Sequence, residues 1–224
     1  MTKSGLDKYH HYIDHTLLKP TSKIQDFERL CEQALEANFK AVCLPSCHVK
    51  MAKNILHKNK KIEICTVVGF PLGYETTEAK TRQTEIALND GATEIDMVIN
   101  QSWFHSGNFS EVQKEIQELN HMTSVARACL KVIVESCYMN AKDIEIVTKL
   151  VGDTGAQFIK TSTGFGSGGA TVEAVQLMKK FAPPHLFIKA SGGIKTLLDL
   201  EKMIEAGANR IGTSSAYEFL RDNS

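Results

Sequence analysis

The chain carries no surplus of charge: 26 Lys and Arg are matched by 26 Asp and Glu among 224 residues. No field of one sign is available to gather a polyanion or an acidic membrane surface, which argues against nucleic acid as a partner. Long apolar runs are also missing. Nothing approaches the length that spans a bilayer, and the opening MTKSGLDKYHHYIDHT contains no apolar leader core, so a cytoplasmic protein with small-molecule partners is expected. The six cysteines include no C-x-x-C spacing and the eight histidines are scattered. Reduced, mostly buried thiols are the expectation, with no built-in metal or other cofactor. No linker or low-complexity segment interrupts the chain, so residues 1–224 are expected to form one domain.

What the chain does have is alternation. Short extended runs fall at 12–16, 41–44, 62–69, 93–99, 130–135, 157–161, 186–190 and 209–213, and a helical stretch follows each of them. The first helix shows the signals clearly: Ser22 and Gln25 have the form of a capping box, and Ile24, Phe27, Leu30, Cys31, Ala34 and Leu35 then recur at helical spacing up to about Asn38. Later helices are expected at 48–57, 75–89, 110–128, 141–154, 171–181, 195–206 and 214–222. Eight such units point to an α/β fold with a closed parallel (β/α)8 TIM barrel, with a doubly wound open sheet as the alternative.

An internal repeat supports the barrel. Gly91-Ala92-Thr93-Glu94-Ile95, Gly155-Ala156-Gln157-Phe158-Ile159 and Gly207-Ala208-Asn209-Arg210-Ile211 share the pattern G-A-x-x-I. Its glycine ends a helix and its isoleucine lies in the next strand. The residue that follows is Asp96, Lys160 and Gly212 in turn, on strands four, six and eight, and side chains from alternate strands share a layer of a barrel interior. Asp96 and Lys160 should meet there, with Gly212 leaving space. A looser copy at 38–42 adds Cys43 from strand two. Asp14, Lys131 and Lys189 sit in apolar settings on strands one, five and seven. Five ionisable groups thus converge on the interior, more than stability alone would favour, because even paired buried charge is at best near neutral.

A lone strand lysine is most often an edge charge that discourages aggregation. Two on neighbouring strands, Lys160 and Lys189, are different. One ammonium disfavours protonation of the other, and a neutral lysine is a nucleophile for aldehydes and ketones. Lys160 is taken as the nucleophile and Lys189 as its cationic neighbour, although spacing alone allows the reverse. Small-residue loops follow both lysines and strand eight: Thr161-Ser162-Thr163-Gly164, Ala190-Ser191-Gly192-Gly193 and Gly212-Thr213-Ser214-Ser215. Their composition and place suit a phosphate cradle of backbone N–H groups.

FIKTSTGF, KASGGI, RIGTSS, EIDMVIN, KVIVES, IDHTLLKP and CTVVGFPLG resemble the deoxyribose-phosphate aldolase family, in the same order and over nearly the whole chain. The resemblance implies a metal-independent class I aldolase that reversibly cleaves 2-deoxy-D-ribose 5-phosphate to D-glyceraldehyde 3-phosphate and acetaldehyde, in deoxyribose phosphate catabolism. It implies that Lys160 forms the imine, that Lys189 perturbs its pKa, and that Asp96 moves protons through a water. Lys131, Asp14 and Thr16 would contact substrate hydroxyls or support the lysines. Thr163, Gly164, Phe165, Gly192, Gly193, Ser214 and Ser215 would line the phosphate end, and a homodimer is expected. Cys43 is counted among the substrate-side residues, as a thiol able to add to an unsaturated aldehyde; a small core residue is the alternative. Two departures from the family stand out. The rim VCLPSCHV places Pro45 early and follows it with Ser46, and RDNS follows soon after Tyr217 where some members carry a longer tail ending in tyrosine. A non-catalytic phosphosugar-binding barrel, or another Schiff-base aldolase or transaldolase, remains as an alternative reading of the same residues.

Overall fold

A computed structural model describes residues 8–57, 59 and 61–221. Its strands are β1 Ile13–Thr16, β2 Ala41–Leu44, β3 Glu63–Val68, β4 Glu94–Val98, β5 Cys129–Ile133, β6 Phe158–Lys160, β7 Phe187–Ser191 and β8 Arg210–Thr213. Each pairs in parallel with the next, and β8 returns to β1 through Ile13↔Ile211 and Asp14↔Gly212. That closure excludes the open sheet. The helices are α1 Ile24–Ala37, α2 Val49–Leu56, α3 Thr77–Asp90, α4 Gln101–His105, α5 Phe109–Val125, α6 Ala141–Asp153, α7 Val172–Phe181, α8 Leu197–Ala206 and α9 Ala216–Arg221.

Alternation along the strands divides the core in two. Outward-facing residues, among them Val42, Ile64, Ile95, Met97, Val132, Ile159, Ile188 and Ile211, are almost fully buried against the helices. This apolar shell supplies the main drive to close the barrel, at about 1.5–3 kcal/mol for each large side chain removed from water. Inward-facing residues are largely ionisable and form the site described below.

Two details differ from expectation. The first helix starts one residue later than the Ser22 and Gln25 box: the Asp26 carboxylate accepts from the Lys23 backbone N at 2.8 Å, and an anion there also complements the helix dipole. Helix α4 was not foreseen, because five residues are too few to show a period; Asn100 caps it, its side chain accepting from Trp103 N at 3.2 Å. The repeat glycines behave as expected, Gly91 and Gly207 ending α3 and α8 at φ 112° and 116°. Residue 222, the expected end of the last helix, and the opening residues 1–7 lie outside the described residues.

Candidate active site

Strand register stacks the inward residues in layers of four, as a barrel of this kind requires. Ala41, Glu94, Phe158 and Arg210 form the lowest, Asp14, Cys65, Lys131 and Lys189 the next, and Cys43, Asp96, Lys160 and Gly212 the third, towards the C-terminal ends of the strands. Asp96 is the hub. Its Oδ2 accepts from Lys160 Nζ at 2.8 Å and from Lys189 Nζ at 2.7 Å; its Oδ1 accepts from Lys131 Nζ at 2.8 Å and from the Cys65 thiol at 3.0 Å. Lys131 also meets Glu94 at 2.6 Å, and Lys189 meets Asp14 at 2.5 Å. Arg210 closes the floor, with Nε on Asp14 at 2.7 Å, Nη2 on the same carboxylate, and Nη1 and Nη2 on Glu94 at 3.1 and 3.0 Å.

Burial by itself would favour the neutral form of every one of these groups. The network reverses that. Burial would raise Asp96, but Lys131, Lys160 and Lys189 hold its carboxyl well below the ordinary range. Burial would lower Lys189, but Asp14 and Asp96 hold it above the ordinary lysine value, and Lys131 is raised in the same way, chiefly by Asp96. Asp14, also pushed up by burial, is held low by Arg210, Lys189 and Lys131. Lys189 is therefore held as a cation beside Lys160.

A cavity of about 390 Å³ opens over this network at the C-terminal mouth of the barrel. Of the three interior lysines only Lys160 reaches its wall, together with Thr16, Thr163, Gly164, Phe165, Gly192, Gly193, Ser214 and Ser215, all expected on the substrate side. The loops after β6 and β7 depend on glycine at three positions. Gly192 and Gly193 adopt φ 82° and 80°, and a Cβ at Gly169 would come within 2.2 Å of the Gly192 carbonyl oxygen. The loop after β6 carries Phe165, whose ring meets Phe70 edge-on at 5.3 Å.

Three expected substrate-side residues do not line this cavity. Asp14 and Lys131 have no exposed surface and are tied to Arg210, Lys189, Glu94 and Asp96, so of their two expected roles the geometry is that of support. Cys43 too is wholly buried, packed in register with Cys65, because β2 turns its side chain into the closed interior; this burial is that of the small core residue given as the alternative. The neighbouring Cys65 lowers the Cys43 thiol, whereas burial raises Cys65 well above the usual range.

Sequence reasoning passed over Glu94, Arg210, Cys65 and Glu135. The signal for the first two was present, since Glu94, Phe158 and Arg210 occupy one and the same position of the G-A-x-x-I repeat. Glu135 has a backbone signature only, φ 53° at the end of β5; its carboxylate accepts from Thr163 N at 3.3 and 3.2 Å and from the Thr163 hydroxyl, which holds the loop after Lys160 in place. Cys43, Cys65 and Asp96 approach closely enough to share a cation, but lysine ammonium groups already occupy Asp96.

Fold and site together define a (β/α)8 barrel protein with a lysine-centred ionic site beneath a cavity at the C-terminal mouth. The profile of the DeoC/LacD family aldolases matches residues 9–216, and the chain belongs to that family. It is 48% identical over 208 residues to a deoxyribose-phosphate aldolase of Clostridium kluyveri, covering 93% of this chain and 94% of the relative. It is 44% identical over 212 residues to the enzyme of the same name from Clostridium botulinum, covering 94% and 93%. The solved tetrameric deoxyribose phosphate aldolase of Aeropyrum pernix superposes with a TM-score of 0.90 at 30% identity, covering 98% of this chain and 92% of that one.

Proposed function

We propose that this chain is a deoxyribose-phosphate aldolase that works through an imine on Lys160. The observation that carries the reading is that Lys160 alone of the three interior lysines both reaches the cavity and touches Asp96. Neutral Lys160 adds to C1 of the open-chain sugar and water leaves, giving the iminium. Removal of the C3 hydroxyl proton lets the C2–C3 electron pair flow to the iminium nitrogen. D-Glyceraldehyde 3-phosphate departs and an enamine remains. Protonation of the enamine carbon and hydrolysis then release acetaldehyde and free Lys160. Asp96 handles the protons, and Lys189, next to both, stays cationic. The phosphate sits on the loops after β6, β7 and β8, where its binding orients a carbon several bonds away.

Asp14 and Lys131 serve as supports of the lysines. The cytoplasmic location belongs to this reading on the chemistry of the thiols, since all six cysteines are unpaired; no described helix is long and apolar enough to cross a membrane. So does a homo-oligomer, at least a dimer, which the tetrameric Aeropyrum pernix relative supports. A monomer in analytical ultracentrifugation at working concentration would remove that part.

The test is reduction with borohydride in the presence of acetaldehyde, followed by intact mass and peptide mapping. One ethyl adduct on Lys160 is expected. An adduct on Lys189 would invert the lysine roles, and no adduct on folded protein would favour a binding barrel without catalysis.

A further inference from the structure

Three carboxylates, Asp14, Glu94 and Asp96, face four cations, Lys131, Lys160, Lys189 and Arg210, inside the barrel. All seven are nearly excluded from water. A closed interior with a cation in excess is costly, and losing one proton relieves it. Arginine cannot supply that proton. Lys131 and Lys189 each hold two close carboxylates, whereas Lys160 holds one and borders the cavity. Remove Arg210 and the count is even; remove the charge of Glu94 and the excess doubles.

Resting on the assignment of Lys160 as the imine lysine, we propose that Arg210 and Glu94, in the layer at the barrel floor, are positioning residues. They set the pH at which Lys160 can react, Arg210 by forcing one positive charge too many on the interior and Glu94 by limiting that excess. Neither touches the cavity, and both act through the electrostatics of the layers between. Lys19 and Lys195 on the cavity wall and Glu135 after β5, which holds Thr163, also lie around Lys160, and all three stay the same in every variant. β1 contributes Asp14, β4 Asp96 and Glu94, β5 Lys131 and β7 Lys189, with Arg210 from β8; β6 contributes Phe158, whose ring lies 5.8 Å from the guanidinium. The thiols are Cys43 on β2 and Cys65 on β3. Cys65 is raised by burial and keeps its proton; because Cys43 is lowered, the experiment is run in a Cys43→Ala background, which takes that thiol out of the count.

The readout is the initial rate of acetaldehyde trapping at Lys160 by cyanoborohydride, mapped by mass across pH, for the background protein and for Glu94→Gln, Arg210→Met, Arg210→Lys and the Glu94→Gln/Arg210→Met pair. Removing an anion disfavours the ammonium, so Glu94→Gln moves half-maximal trapping down by about one pH unit. Removing the cation moves it up by a similar amount in Arg210→Met. Arg210→Lys stays at the background value, and the double variant, with its excess restored to one, returns towards it. A purely structural role would lower the rate without moving the midpoint, or move it the same way in both single variants; either result overturns the proposal. Should Arg210→Met fail to fold, Glu94→Gln decides, because its amide oxygen still accepts from Lys131 and Arg210: a midpoint that does not fall overturns the idea. Absence of any adduct on Lys160 in the background protein is a separate result, and it strikes the assignment on which the proposal rests.

Discussion

Between α3 and α5, Lys80 and Glu115 meet at 2.8 Å with both side chains wholly buried. Inside the barrel, Asp96 is just as buried and meets its lysines at the same distance. The two places answer burial in opposite ways. At the isolated pair burial prevails: it lowers Lys80 and raises Glu115, each only partly opposed by its partner. In the barrel the partners prevail, and carboxylates are held low while Lys131 and Lys189 are held high. One counter-ion does not repay the loss of water around a charge, whereas several shared ones do. The barrel therefore keeps Asp14, Asp96, Lys131 and Lys189 charged at working pH. Lys80 serves another end, donating to Gly73 O at 2.7 Å and to Val98 O at 2.8 Å while Glu115 accepts from Asn100 N at 3.2 Å, so that the rim after β3 is tied to the end of β4.

The largest effect should come from the lysine that reaches the cavity. Lys160→Ala is expected to abolish the ethyl adduct and lower aldol cleavage by about 10⁴-fold or more. Its unfolding midpoint should hold, because Asp96 keeps Lys131 and Lys189; a large fall in thermal stability would show that Lys160 is as structural as its neighbours. Asp96→Asn breaks the network at its hub. Turnover should drop by about 10²–10⁴-fold, and denaturant titration should show a loss of about 3–5 kcal/mol, since three ammonium groups then face a neutral amide.

Lys80→Met attacks the other side of the comparison. It leaves Glu115 unpaired and should cost about 3 kcal/mol in denaturant unfolding, while trapping at Lys160 per folded molecule changes little. A loss of trapping with folding intact would mean that the rim controls the nucleophile.

The smallest effect is the dependence of stability on pH. Depressed Asp14 and Asp96 contribute stability that is complete above about pH 4 and lost as pH falls through their folded values. Raised Lys131 and Lys189 contribute stability that is complete below about pH 10 and lost as pH rises through theirs. Glu115 and Lys80 act with the reverse sign: stability falls as pH rises above the ordinary glutamate value towards that of folded Glu115, and as pH falls below the ordinary lysine value towards that of folded Lys80. Thermal unfolding across pH should thus show a broad plateau that dips in its middle between raised shoulders, and Lys80→Met with Glu115→Gln should flatten the dip without narrowing the plateau. A plateau narrowed by that double substitution, with no dip to flatten, would give the pair the opposite sign.

Much of this was written in the chain. Eight strand-and-helix units and a G-A-x-x-I repeat are local features, set by side-chain period and by glycine's access to the left-handed region, so they fixed the barrel and put Asp96 and Lys160 at equivalent positions on alternate strands. Glu94 and Arg210 stood at an equivalent position too. They were passed over because a charge just after a helix end most often faces water, and only closure of the barrel makes that place interior. The Ser22 and Gln25 box failed for a related reason, since two overlapping caps compete and a short aspartate won.

Lys160 and Lys189 mark the boundary between the two kinds of information. Each follows Phe-Ile and precedes a small-residue loop, and by itself the sequence determined that both are strand lysines of an aldolase-like barrel. Only tertiary structure decided which one borders the cavity. Lys189 is drawn down between Asp14 and Asp96, into space left by Gly212, where a Cβ would lie 3.1 Å from its Cε. The physical reason is that charge state and access belong to the set of groups brought together across the barrel, and no single strand carries that set.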